Sequence, residues 1–154
     1  MMRTTSQWAI RRAVVGDAQA ISNVIVQALQ ETNSRDYSQS IIAEAVGNFS
    51  PERVAARMAD RQVFVATNPA AVVGTGSLEA LSVRSMFVLP GWQRSGIGRA
   101  LLDHIEGLAR QQGLARLEVP SSIGAEGFYR RMGYVAIRDV HYGAERTILM
   151  EKAL

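Results

Sequence analysis

The chain has 154 residues, 47% hydrophobic and 20% charged, enough for one domain with a buried core and too few for two. It contains no cysteine, which excludes a disulfide framework, a thiolate metal site and a catalytic thiol able to hold an acyl group. No window approaches the roughly 18 uncharged apolar residues of a membrane span, and no apolar stretch follows the Arg3-containing start as a secretory signal requires. A single domain over 1–154, cytoplasmic and without a membrane partner, is therefore the expectation. His104 and His141 stand beside no carboxylate cluster at ligand spacing, so no metal is expected. The net charge of +3 and pI of ≈ 9.8 favour anionic partners such as phosphates. The arginines are scattered from Arg3 to Arg146 and not clustered with aromatics, which argues against nucleic acid.

Trp8 to Arg11 alternates apolar and polar residues as a strand does, and Asp17 is a suitable N-cap for a first helix. From Ala18 to Leu29, Ala20, Ile21, Val24, Ile25, Ala28 and Leu29 recur at helical spacing. Thr32 to Tyr37 reads as a polar loop, Ser38 as the cap of a second helix closed by Gly47-Asn48, and Ser50-Pro51 as the start of a third running to about Asp60. Gln62 to Thr67 and Ala71 to Glu79 read as a hairpin around Asn68-Pro69, and Leu81 to Leu89 as a third strand stopped by Pro90-Gly91. A helix over Ile97 to Gln112 carries Ile97, Leu101, Ile105 and Leu108 on one stripe and ends at Gly113. Leu114 to Val119, Tyr134 to Arg138 and Thr147 to Glu151 read as strands, with a short helix over Ala125 to Met132.

The segment that carries chemistry is the passage from the third strand into the long helix. The first amides of a helix have no partners in their own helix, and with the positive end of the helix dipole they form an anion site. Gly96 and Gly98 keep side chains away from that backbone, and Arg94 and Arg99 add charge. A pyrophosphate fits there. A bare Gly-x-Gly is more often a packing feature, and Gly74-Thr75-Gly76, which no helical pattern follows, reads as part of a strand. The loop lacks the Lys-Ser or Lys-Thr of a P-loop and the third glycine of a dinucleotide fingerprint.

Gln93-Arg94-Ser95-Gly96-Ile97-Gly98, preceded by Val88-Leu89-Pro90 and followed by Leu101-Leu102, resembles the acetyl-CoA signature of the GNAT superfamily of N-acetyltransferases. Ile10-Arg11-Arg12-Ala13 with Asp17-Ala18 is similar to that family's first strand and helix, and Phe128 to Tyr134 to its late helix and turn. Nearly the whole chain is covered, and Tyr37-Ser38 after the first helices resembles small stand-alone bacterial members. The resemblance implies an α+β fold: a central mixed, mainly antiparallel sheet of six to seven strands, splayed in the middle and flanked by helices.

It also implies acetyl-CoA as cosubstrate, a small-molecule amine as acceptor, and direct attack without a covalent intermediate. The pyrophosphate would lie on the loop of Gln93, Arg94, Ser95, Gly96, Ile97, Gly98 and Arg99. The backbone of Met86, Phe87 and Val88 would pair with the pantetheine arm as an added strand, and Ser122 stands where many relatives carry an Asn near CoA. Tyr129 matches the residue that protonates the departing thiolate, a suitable exchange between a phenol near pKa 10 and a thiol near 8.5. The Glu that some relatives use as base is here Ser82, which leaves Glu79 and Glu118 as neighbouring acids, with Glu79 preferred. Arg84 shares strand parity with Ser82, Met86 and Val88, so it is expected on the thioester's side, where it would bind an acceptor carboxylate. Tyr37 is expected at the acceptor end, because the Thr32 to Tyr37 loop is where specificity would reside. A homodimer is the commonest assembly for such a chain. The alternative function is a catalytically weak module that binds or senses acyl-CoA, which the missing Glu at Ser82 favours.

Overall fold

The computed structural model describes residues 8–154; the Met1 to Gln7 start lies outside the described residues. Among these residues the strands are β1 (Ala9–Arg12), β2 (Gln62–Thr67), β3 (Val72–Glu79), β4 (Ser82–Val88), β5 (Arg116–Ser121), β6 (Val135–Tyr142) and β7 (Glu145–Ala153). They form one seven-stranded sheet in the order β1-β2-β3-β4-β5-β7-β6. Every neighbouring pair is antiparallel except β4 and β5. Helices α1 (Ala18–Glu31), α2 (Gln39–Gly47) and α3 (Pro51–Arg57) connect β1 to β2, α4 (Ile97–Gln111) connects β4 to β5, and α5 (Glu126–Arg131) precedes β6. This is the expected mixed α+β architecture. No helix among the described residues is long and apolar enough to cross a membrane.

The two faces of the sheet follow from strand alternation. Val63 and Val65 of β2 pack with Ile21, Ile25 and Leu29 of α1, Ile42 of α2 and Val54 of α3. Phe64 and Ala66 face the other way, onto Ile97, Leu101, Leu102 and Ile105 of α4. Each of these large side chains contributes about 1.5–3 kcal/mol by leaving water. Gly74 and Gly76 of β3 are strand residues, and they matter for this packing. A Cβ at Gly74 would stand 2.7 Å from Ile97 Cγ2, and one at Gly76 would stand 3.0 Å from the Met86 thioether, so the glycines let α4 approach the middle of the sheet.

The caps follow the expected chemistry at two of three helix starts. Ser38 and Ser50 accept hydrogen bonds from the amides of Ile41 and Arg53, and Pro51 opens α3. Asp17 does not cap α1: its carboxylate turns back to the Val14 amide at 2.8 Å and to Arg11. The late strands are longer than their sequence pattern indicates and close as a hairpin at Gly143, whose φ is +62°. β6 is an edge strand exposed along most of its length, with Val135 and Ile137 open to solvent, so burial imposed no alternation on its sequence.

Candidate active site

The β4–β5 seam is the one parallel pairing among the described strands, and it opens. Ser82 pairs with Glu118 and the Glu118 amide donates to the Leu81 carbonyl at 2.9 Å; beyond that point the register lapses. β5 stays paired with β7 along its length, and β4 stays paired with β3. The β4 edge facing β5 is therefore left without a strand partner among the described residues from Arg84 to Val88. A cavity of about 860 Å³ occupies the gap, between Met86, Phe87 and Arg84 on one side and Val119, Ser121 and Tyr129 on the other.

β4 itself is irregular. Ser77 pairs with Arg84 and Thr75 with Phe87, so two residues, Ser85 and Met86, oppose Gly76. Ser85 adopts φ +51°, a left-handed conformation that ends regular alternation in a β-bulge. The strand parity changes there. Met86 packs on the α4 side beside Gly76, whereas Phe87 packs on the α1 side, its ring 5.9 Å from Phe49. Arg84, opposite Ser77, shares the face of Phe87. The expected common face for Arg84, Met86 and Val88 is thus corrected: the bulge puts Arg84 on the opposite face from the other two, although Arg84 still lines the cavity.

The loop before α4 has the geometry that its glycines suggest. Gly96 is the N-cap with φ +89°, Gly91 has φ +92° and Arg94 has φ +66°. The Ala100 amide is the first to reach back to Gly96, at 3.0 Å, which leaves the amides of Ile97, Gly98 and Arg99 without helical partners. A Cβ at Gly98 would touch Phe128 Cζ at 3.4 Å, so this glycine also serves packing between α4 and α5. Ser95 donates to the Trp92 carbonyl, and Gln93 donates to Thr32 at the end of α1 at 3.2 Å. Arg94 and Arg99 are exposed, with Arg99 4.0 Å from Asp103.

Tyr129 is buried in the cavity wall, its ring edge-on to Phe128 and Tyr134. Burial pushes its phenol above the ordinary value, so it stays protonated. The neighbouring Tyr134 hydroxyl is bound to Glu106 at 2.8 Å; that of Tyr129 has no such partner among the described residues. Ser122 also lines the cavity. Tyr37 does too, but its hydroxyl is engaged by backbone: it donates to the Arg146 carbonyl at 2.8 Å and accepts from the Ile123 amide at 3.0 Å. Burial raises its pKa as well. Tyr37 thereby ties the segment after α1 to β7 and to the turn before α5.

Glu79 lies at the end of β3, outside the lining of the cavity. Its Oε1 accepts from Arg61 Nε at 3.1 Å and stands 4.0 Å from Arg84 Nε, the position of a counter-ion. Glu118 sits at the closed end of the seam, beside Ser82. Sequence reasoning did not single out Arg57, Arg61 or Phe49, all of which line the cavity. Arg57 stacks over the Phe49 ring at 4.7 Å and Arg61 donates to Ser85 Oγ at 3.1 Å. A signal was present: Arg53, Arg57 and Arg61 repeat every four residues, a like-charge spacing that costs helix stability.

The comparisons agree with this geometry. Residues 33–152 match the family model described as an acetyltransferase (GNAT) domain. The chain is 30% identical over 129 residues to the uncharacterized N-acetyltransferase YafP of Escherichia coli (strain K12), covering 84% of this chain and 82% of that one. Its fold matches a GCN5-related N-acetyltransferase from Rhodopseudomonas palustris with a TM-score of 0.91 and 26% identity over 100% of both chains. It also matches the PaiA N-acetyltransferase of Thermoplasma acidophilum, solved in complex with coenzyme A, with a TM-score of 0.81 and 18% identity over 96% of this chain and 99% of that one. With its splayed seam and glycine-opened helix, the chain belongs to the GNAT family of acetyltransferases.

Proposed function

We propose that the protein moves an acetyl group from acetyl-CoA to the amine of a small molecule by direct attack, in the cytoplasm, with Tyr129 as general acid. The observation that carries this reading is the unpaired β4 edge at the open seam, with a buried, protonated tyrosine in the opposite wall. Acetyl-CoA supplies the acetyl group as a reactive thioester. The amides of Ile97, Gly98 and Arg99 receive the pyrophosphate, Arg94 and Arg99 add positive charge, and Gln93, Ser95 and Gly96 shape the loop. The backbone of Met86, Phe87 and Val88 completes its hydrogen bonding with the pantetheine arm as with an added strand. Ser122 flanks the arm.

Tyr129 passes its proton to the departing sulfur as the C–N bond forms and the C–S bond breaks. The proton lost by the amine leaves through cavity water and restores the phenol. An aliphatic ammonium near pKa 10.4 is only about 0.04% free amine at pH 7, so this proton transfer is part of the barrier. Glu79 serves in this reading as counter-ion to Arg61 and Arg84 and not as the base.

Thiol release from acetyl-CoA, followed on the full chain with a panel of amines, tests the reading. Amine-dependent release supports it. Tight acetyl-CoA binding without release for any amine would instead identify an acyl-CoA-binding module.

A further inference from the structure

Three guanidinium groups converge at the end of the cavity away from the α4 loop. Arg57 comes from the last turn of α3, Arg61 from the turn before β2, and Arg84 from β4 just before the bulge. Glu79 is the one carboxylate within 4 Å of any of them among the described residues, touching Arg61 at 3.1 Å and Arg84 at 4.0 Å. Glu44 and Glu145 also line the cavity without reaching these arginines. One carboxylate against three guanidiniums leaves an excess of positive charge.

The hydrogen bonding is incomplete in the same place. Arg57 Nη1 and Arg84 Nε are buried and have no hydrogen-bond partner among the described residues. Buried donors left unpaired are costly and are normally satisfied by protein, water or ligand. Burial and the neighbouring Arg61 and Arg53 hold the Arg57 guanidinium below its ordinary pKa, as expected where counter-charge is lacking. The Phe49 ring under Arg57 and the Ser85 hydroxyl on Arg61 fix the two forks in place, and a fixed planar fork matches an oxyanion in bidentate fashion.

We infer that Arg57, Arg61 and Arg84 form an oxyanion-binding subsite for the acceptor, so that the preferred substrate is an amine carrying a carboxylate or a phosphate. This rests on the acetyl-transfer reading above and adds the chemical class of its acceptor. Regular alternation from Val83 puts Arg84 on the side away from α4, and the bulge at Ser85 then returns Met86 and Val88 to the α4 side, so the guanidinium is separated from them. Glu79 bonds Arg61 Nε at 3.1 Å and stands beyond hydrogen-bond distance of Arg84 Nε, at 4.0 Å, so it satisfies neither Arg84 Nε nor Arg57 Nη1.

The test compares matched acceptors on the full chain: butylamine against norvaline for the carboxylate, and ethanolamine against O-phosphoethanolamine for the phosphate. Wild type should favour one of the acidic partners at least about tenfold in kcat/KM, which also tells carboxylate from phosphate. Arg57→Gln and Arg84→Gln should raise the KM of that partner and leave the KM of acetyl-CoA unchanged; Arg84→Lys, which keeps the charge and loses the fork, should fall between. Equal use of acidic and neutral amines by the wild type would overturn the subsite. If no amine supports thiol release, the transferase reading fails separately, and the subsite is read from thermal stability in malonate and inorganic phosphate. A rise in Tm that Arg57→Gln and Arg84→Gln abolish supports it; no rise, or a rise both variants retain, overturns it.

Discussion

Arg84 and Met86 sit two positions apart on β4 and face opposite sides of the sheet, because Ser85 between them takes the left-handed conformation and the strand gains a residue opposite Gly76. In a regular strand they would share a face. The divergence puts Arg84 on the α1 side and Met86 on the α4 side, and both line the cavity.

Ser85 should accordingly be sensitive to backbone preference. A left-handed φ costs a residue with a Cβ about 1–2 kcal/mol, and more when it is β-branched. Ser85→Val is expected to lower stability by about that amount relative to Ser85→Gly, measured by denaturant unfolding. Equal stability of the two variants would mean that the bulge is not held in this conformation.

The α4 loop should be the determinant of CoA binding. Gly96 has φ +89° and Gly98 lies against Phe128, so a side chain at either position distorts the amide cradle, and an acidic one also repels an anion. Gly98→Glu is expected to weaken CoA binding by about tenfold or more, a change of about 1.4 kcal/mol, in calorimetric titration. Unchanged affinity in a folded variant would remove the pyrophosphate from this loop.

Tyr129→Phe keeps the buried ring and removes only the proton donor. Acetyl-CoA should still bind, while kcat falls by roughly 10²-fold, the usual size of a general-acid contribution. Because burial raises the phenol's pKa, the donor remains protonated through the ordinary tyrosine range, and the wild-type rate should not decline toward pH 10 through loss of this proton. Full turnover in the variant would mean that the thiolate departs without Tyr129.

Asp17 links β1 to the start of α1 and makes part of the stability pH-dependent. Two hydrogen bonds from Arg11, at 2.8 and 2.9 Å, and one from the Val14 amide hold its carboxyl below the ordinary 3.8, against the opposing effect of burial. A depressed folded-state pKa means that the unfolded chain takes the proton first as the pH falls. The stabilisation is therefore complete above the ordinary carboxylate range and is lost as the pH drops through the lower folded value. Asp17→Asn should be less stable than wild type by about 1 kcal/mol at neutral pH, and the gap should close in acid. A gap independent of pH would rule out this carboxylate as its source.

Glu106 is a buried acid on α4 whose oxygens take Tyr134 Oη at 2.8 Å and Lys152 Nζ at 3.0 Å. Removing one member of a buried, paired set leaves the others unsatisfied, so Glu106→Ala is expected to cost about 3 kcal/mol. Denaturant unfolding measures it, and a loss below about 0.5 kcal/mol, the range of ordinary surface changes, would show that the network adds little.

What the sequence determined by itself was local. The serine caps of α2 and α3, the apolar stripes of α1 and α4 and the glycine-opened start of α4 each depend on residues within a few positions of one another, and short-range sterics and hydrogen bonding act at that distance. The arrangement of Arg61, Arg84 and Tyr37 around the cavity belongs to the tertiary structure. Serine has no marked preference for a left-handed φ, so nothing in Ser82 to Val88 signals the bulge that puts Met86 and Val88 on the opposite face from Arg84; it forms where β3 brings Gly76 opposite Ser85 and Met86. Arg61 and Glu79 are far apart in sequence and meet only because β2 and β3 pair as a hairpin. Tyr37 meets Arg146 and Ile123 only once the chain has closed around the sheet. These contacts are made by side chains across strand pairings and element packing, and a linear pattern carries no record of which distant partner will fill the space.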